Sequence, residues 1–135
     1  MPQATVAAII TPHDDLTTVL LTRRTSGGAF GDRWCIPGGH IEPYEPARDA
    51  VVREVKEETG LDFTPRFFGY FDEIFGEHQV HFVVLVFTGA GHGTPRMEER
   101  EVSEIAWVPL DEARALALAF RHNEVLDEYA GTLRP

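Results

Sequence analysis

The sequence predicts an α/β domain, and three observations predict it. Runs of β-branched and aromatic residues recur along the chain, one long amphipathic helix interrupts them near the middle, and helical segments close the C-terminus. With 135 residues the chain is long enough for one domain with a real core, and residues 1–135 read as that single domain. It contains no linker, low-complexity run or internal repeat.

Taken in order, Ala4 to Thr11 and Thr17 to Thr22 have strand composition and are separated by Pro12-His-Asp-Asp15, a spacing that suits a hairpin. Arg23 and Arg24 then leave the second strand ahead of the polar stretch Thr25-Ser-Gly-Gly28. Arginines at a strand end are most often solvated, although a guanidinium there can also grip a phosphate or a base. Trp34 to Ile36 reads as a short strand entering Pro37-Gly38-Gly39, where glycine permits positive φ or a close approach of the backbone to a ligand. His40, just beyond, reads as a loop residue.

The helix spans about Glu45 to Thr59, with Pro46 at a first helical position and Gly60 as its C-terminal stop. Pro65 to Phe75 and Val80 to Thr88 are the next strands, joined through Gly76-Glu-His-Gln79. The second is apolar on both faces, which predicts a central strand with layers above and below. Phe67, Phe68, Tyr70 and Phe71 read chiefly as core, and His78 and His81 as surface or satisfied histidines. Gly89 to Glu101 reads as a long loop with three glycines and a cluster of acids. Ile105 to Val108, with Trp107, is a further strand. Helices over Asp111 to Ala119 and Asn123 to Tyr129, the latter ending at Gly131, are expected to cover the sheet.

Charge excludes one class of partner. Twelve Lys and Arg against 22 Asp and Glu give a formal charge of −10, which opposes electrostatic binding of a nucleic-acid backbone. An acidic protein that handles phosphates needs a cation between itself and its substrate. The sole cysteine, Cys35, precludes an intrachain disulfide and, between Trp34 and Ile36, is expected to be packed rather than reactive. No apolar run approaches the roughly eighteen residues of a membrane span, and no basic segment precedes an apolar one at the N-terminus. A cytoplasmic protein is the expectation.

The chemistry is concentrated on the central helix. At about 100° per residue, Ala47, Ala50, Val51, Glu54, Glu57 and Glu58 share one side, so that the face begins apolar and turns acidic. Glu54 stands three residues from Glu57 and four from Glu58, and like charges at those spacings destabilise a bare helix. A hard divalent cation would relieve the repulsion, and oxygen-only ligands favour magnesium or manganese over zinc. Without wider context a solvated acidic face explains the same residues.

That context is the full pattern: Gly39, five residues, Glu45, seven residues, then Arg53-Glu54-Val-Lys-Glu57-Glu58-Thr-Gly60-Leu61. It resembles the Nudix box, residues 39–61, and the flanking Trp34-Cys-Ile-Pro37-Gly38-Gly39 is similar to that family as well. One residue departs: Tyr44, before the first box glutamate, stands where the family commonly has glycine.

The resemblance implies an α/β/α sandwich with a mixed sheet flanked by helices, and a metal-dependent pyrophosphohydrolase acting on a nucleoside diphosphate linked to another group. It implies Mg2+, with Mn2+ as a possible substitute, held by Glu54, Glu57, Glu58 and the Gly38 carbonyl. Arg53 would orient carboxylates, and Glu57 or Glu101 would take the proton of the attacking water, with Glu104 a second choice after Glu101 as the recruited acid. Glu45 is as consistent with a structural role as a catalytic one, and Glu42 has no settled role. Arg23 first, then Arg24 and Arg33, are the substrate-binding candidates. Small-molecule nucleotides or nucleotide sugars are the implied partners, triphosphates (oxidised ones included) being the leading class. Homodimers are common in the family.

Overall fold

The computed structural model describes residues 1–97 and 102–133. Strand β7 (Val80–His92) stands at the centre of the main sheet. Strand β1 (Gln3–Thr11) lies parallel to it, Gln3 opposite Phe82 and Thr11 opposite Ala90, while β6 (Arg66–Phe75) runs antiparallel on its other side. Short β4 (Gly38–His40) flanks β1, and β5 (Asp62–Phe63) pairs with the last residues of β7. A second, antiparallel sheet carries β3 (Trp34–Cys35), β2 (Thr18–Arg24) and β8 (Val102–Pro109) in that order.

Alternation along the strands builds a core on each side. Val6, Ala8 and Ile10 of β1, with Leu20 of β2, pack against Ala50, Val51 and Val55 of α1 (Ala47–Thr59). Ala7, Ile9, Val19 and Leu21 face α2 (Leu110–Ala115) and α3 (His122–Thr132), where Leu110, Ala113, Val125, Leu126 and Tyr129 meet them. The result is the α/β/α sandwich with a mixed sheet, its helices on both faces. The central position of β7, flanked on both edges and covered on both faces, follows from its doubly apolar sequence.

Several expectations are corrected. β1 and β2 do not form a hairpin; they lie in different sheets, because each finds its hydrogen-bonding partners far along the chain. Arg23 and Arg24 are inside β2, which pairs through Arg24 opposite Val102. Pro46 is the N-cap, extended at φ −63° and ψ 145°, so that α1 begins at Ala47. The buried stripe of α1 is Ala50, Val51, Val55 and Thr59, one step round from the side bearing the glutamates; the Thr59 hydroxyl donates to the Val55 carbonyl at 2.7 Å.

The Gly38-Gly39 pair is strand, not turn, and neither residue has positive φ. His40 ends that strand. Gly89 and Gly91, read as loop signals, continue β7. A Cβ on Gly89 would collide with the Thr64 carbonyl, and one on Gly91 would meet Ile10 Cγ2 at 2.7 Å, so these glycines serve close packing. Helix α2 stops at Ala115 because Asn123 captures the chain after it, donating to the carbonyls of Arg114 and Leu116 and accepting from the Leu118 N–H. Gly131 lies within α3, where no left-handed stop is required. Phe67 and Tyr70 are exposed on β6, while Phe71 is buried.

Candidate active site

Helix α1 is delivered to β4 by its C-terminal stop and by two glycines. Gly60 adopts φ 75° and its N–H returns to the Lys56 carbonyl at 3.0 Å. On β4, a side chain at Gly38 would collide with the Val6 carbonyl of β1, and one at Gly39 would collide with Oε2 of Glu54. The absence of a Cβ at Gly39 is therefore what lets the Glu54 carboxylate lie against the strand backbone.

Arg53 gathers the neighbouring acids. Its Nε donates to Glu45 Oε2 at 2.7 Å and its Nη2 to Glu45 Oε1 at 2.9 Å, a bidentate pair. Nη1 donates to Glu57 Oε2 at 3.1 Å and lies 3.6 Å from Glu42 and 3.7 Å from Glu54. Nη2 also reaches the His40 carbonyl at 3.1 Å, tying α1 to β4. The two Arg53 hydrogen bonds to Glu45, with one donated by the Glu42 N–H, pull the Glu45 carboxyl down to about 2. Glu57 is half-exposed beside Arg53 on the outer side of the helix, whereas Glu58 lines a cavity on the inner side.

That cavity, of about 330 Å³, joins Gly38, Gly39 and Glu58 to a chamber walled by Phe30, Phe82 and Phe120. Register gives its span: β4, β1, β7 and β6 are consecutive neighbours, and Glu73 on β6 lies opposite Phe82 of β7. At about 4.8 Å between strands and about 3.3 Å per residue for the three positions from Gln3 to Val6 along β1, Glu73 is roughly 17 Å from Gly39 of β4. Glu73 is only 2% exposed, its Oε2 lies 3.7 Å from His122 Nε2, and both residues line the cavity. Burial pushes the Glu73 carboxyl up to about 7 against the pull of the Arg121 N–H and guanidinium; burial and then the Arg24 charge push His122 down to about 3. The pair is thus a carboxyl beside a neutral imidazole, not an ion pair.

Similarity to known proteins agrees with this architecture. The NUDIX domain profile matches residues 1–129. The chain belongs to the Nudix family. It is 32% identical over 120 residues to the m7GpppN-mRNA hydrolase NUDT17 of Danio rerio, covering 75% of this chain and 40% of that protein. To the 8-oxo-dGDP phosphatase NUDT18 of Homo sapiens it is 31% identical over 105 residues, covering 77% of this chain and 31% of that protein. The crystal structure of a MutT NUDIX hydrolase from Burkholderia pseudomallei superposes with a TM-score of 0.82 at 25% identity, over 94% of this chain and 97% of that one. The chain spans less than half the length of the two curated relatives.

Nudix hydrolases generally use divalent metals such as Mg2+. The expected donors, the carboxylates of Glu54, Glu57 and Glu58 and the Gly38 carbonyl, would suit such an ion by type, with no thiolate or imidazole among them. Among the described residues no group of three or more His, Cys, Asp or Glu is assembled as a ready metal site. Glu57 is engaged by Arg53, and Glu58 lines the cavity.

Of the substrate-binding candidates, Arg24 alone lines the cavity; its guanidinium lies 5.1 Å from the Phe120 ring, and its buried Nε has no hydrogen-bond partner among the described residues. Arg23 is turned to Glu104, at 2.8 Å, and to the Asp32 carbonyl. Arg33 is exposed near the Phe30 ring. Glu101 lies outside the described residues. Cys35 is buried and its thiol is raised to about 11 by that burial, the state of a packed cysteine rather than a nucleophile.

Sequence reasoning missed Glu73, His122 and the three phenylalanines as cavity residues. A signal existed for the first: in β6, Phe71 and Glu73 share one face by the period of two, so a buried Phe71 carries Glu73 inward with it. His122 offered none, because its place depends on the turn that Asn123 organises.

No helix among the described residues is long and apolar enough to cross a membrane.

Proposed function

We propose that this Nudix domain is a divalent-metal-dependent pyrophosphohydrolase that splits a nucleoside diphosphate linked to a further group. Nucleoside triphosphates are the preferred class, with release of a nucleoside monophosphate. The observation that carries this reading is the continuity of the cavity from Gly38, Gly39 and Glu58 to an aromatic chamber across four strands. A diphosphate at the first region would leave its nucleoside in the second. A volume of about 330 Å³ stands at the low end of small-molecule sites, roughly 300–1,000 Å³.

Glu54, Glu58, Glu57 and the Gly38 carbonyl would hold Mg2+, with Mn2+ as a substitute. When bound, such an ion neutralises diphosphate charge and acidifies water. The chain's own contribution is positional. Arg53 holds Glu45, Glu54 and Glu57 in register, a positioning task; Arg24 supplies a cation inside the cavity; Glu57 or Glu101 accepts the proton from the attacking water. The phenylalanine walls exclude bulk water and present flat faces to a base. The names of the relatives support a guanine-containing substrate, since one acts on a cap and the other on 8-oxo-dGDP.

The test is product-resolved hydrolysis of nucleoside triphosphates, oxidised nucleotides, ADP-ribose and GDP-mannose, with magnesium and with chelator. Metal-dependent release of a monophosphate from triphosphates is the expected result, reduced by orders of magnitude in Glu58→Gln while circular dichroism is unchanged. Near-normal turnover in that variant would sink the metal assignment. Cleavage confined to nucleotide sugars would redirect the substrate, and nucleotide binding without hydrolysis under any divalent metal would make the domain a binding module.

A further inference from the structure

We propose that Glu73 is the residue that reads the substrate's base, that His122 is its positioning residue, and that the base edge they select is guanine's. This deepens the preceding reading and rests on it for the presence of a nucleotide in the cavity.

The argument begins with an unsatisfied atom. Glu73 lines the cavity, and its Oε2 is buried with no hydrogen-bond partner among the described residues. Leaving a buried acceptor without a donor is unfavourable, the more so for a charged one, so a fold that retains it leaves an opening for a ligand donor. The neighbouring histidine is locked. His122 Nδ1 accepts the Ile36 N–H at 3.1 Å, so the neutral ring carries its hydrogen on Nε2, the atom facing Glu73. A donor on that side helps Oε2 bear negative charge when a base arrives.

The rest of the chamber supplies the complement. Phe120 lies 4.6 Å from Phe30, 5.4 Å from His122 and 6.3 Å from Phe82, an aromatic cluster against which a base can stack. Arg24 contributes a buried N–H that is likewise unpartnered among the described residues. The residues lining the cavity therefore carry, among the described residues, one unpartnered carboxylate oxygen and one unpartnered guanidinium N–H. Guanine offers adjacent N–H groups at N1 and N2 beside the O6 acceptor, which answers both. Adenine and cytosine place a ring-nitrogen acceptor next to their amino group, and that lone pair would face the carboxylate. Hypoxanthine keeps N1–H and O6 but lacks the N2 amino group, and so is the intermediate case.

Direct binding makes the test independent of turnover. Calorimetric Kd values for GMP, IMP and AMP would be measured on the wild-type chain, on Glu73→Gln and on Arg24→Gln, with hydrolysis of GTP and ATP followed in parallel. The wild type is expected to bind GMP about 10–100-fold more tightly than AMP, the range of one charge-assisted hydrogen bond, with IMP between them. Glu73→Gln should bring the three within about two-fold by weakening GMP, and Arg24→Gln should weaken GMP and IMP alike because both lose the donor to O6. Equal GMP and AMP affinity in the wild type, no affinity for any of them, or a preference unchanged in Glu73→Gln would each overturn the proposal. Failure of hydrolysis with the base preference intact would instead remove only the enzymatic reading.

Discussion

Two groups of carboxylates in this molecule answer their surroundings in opposite ways. Around Arg53 of α1, Glu42, Glu45, Glu54 and Glu57 crowd one guanidinium, and Glu45 is held down to about 2. Across the sheet, Glu73 has been taken out of water beside a neutral histidine and is pushed up to about 7. The same side chain is kept charged at one place and brought to the edge of neutrality at the other. Carboxylates near the box are arranged for cations, while the one in the aromatic chamber is suited to a hydrogen bond with an uncharged partner.

The largest break in that comparison comes from Glu73→Gln examined against pH. Because the folded-state value is raised, this group's contribution to stability is fully present below about 4.5 and is lost as pH rises through about 7. Over that window the wild type should lose up to about 3 kcal/mol from this source, at roughly 1.4 kcal/mol per pKa unit, and the variant should not. Urea midpoints at pH 5 and pH 8 measure it, and parallel pH profiles for the two proteins would contradict the buried, partly neutral carboxyl. His122 works in the other direction, stabilising above about 6.5 and losing that contribution as pH falls toward 3, and it is common to both proteins.

Arg53→Met breaks the opposite side of the comparison. Removing the guanidinium from among the acids should cut turnover about 10–100-fold, the usual cost of losing a group that orients metal ligands, and raise the magnesium concentration needed for half-maximal rate. Glu45 adds a sign: its contribution is present above about 4.5 and lost as pH falls through about 2, so the stability gap between wild type and variant should close in acid. Turnover equal to wild type at all magnesium concentrations would leave Arg53 a surface ion pair.

The smallest effect belongs to Tyr44, which holds φ 63° in the loop before α1 with its side chain fully exposed. A left-handed tyrosine costs roughly 1–2 kcal/mol, and glycine avoids most of that. Tyr44→Gly is expected to stabilise the fold by up to about 1 kcal/mol in thermal unfolding, after glycine's own entropy is counted. Tyr44→Ala, which keeps the Cβ, should bring no such gain.

The sequence by itself determined the layers, the central strand β7, the box helix with its Gly60 stop, and the register of Glu54, Glu57 and Glu58. These are local: periodicity, capping and spacing are written in neighbouring residues. Even the left-handed residue before Glu45 was visible as the one departure from the family pattern. What tertiary structure alone decided was partnership. Gly39 is explained by a carboxylate fifteen positions later, Gly89 and Gly91 by chains packed against β7, and the division of Arg23 from Arg24 by which of them meets Glu104 and which enters the cavity. Glu73, His122 and Phe120 come together only because β6 and the turn before α3 are folded against the same space. No periodicity within either segment can encode that meeting, since the free energy that fixes it arises between strands and turns distant in the chain.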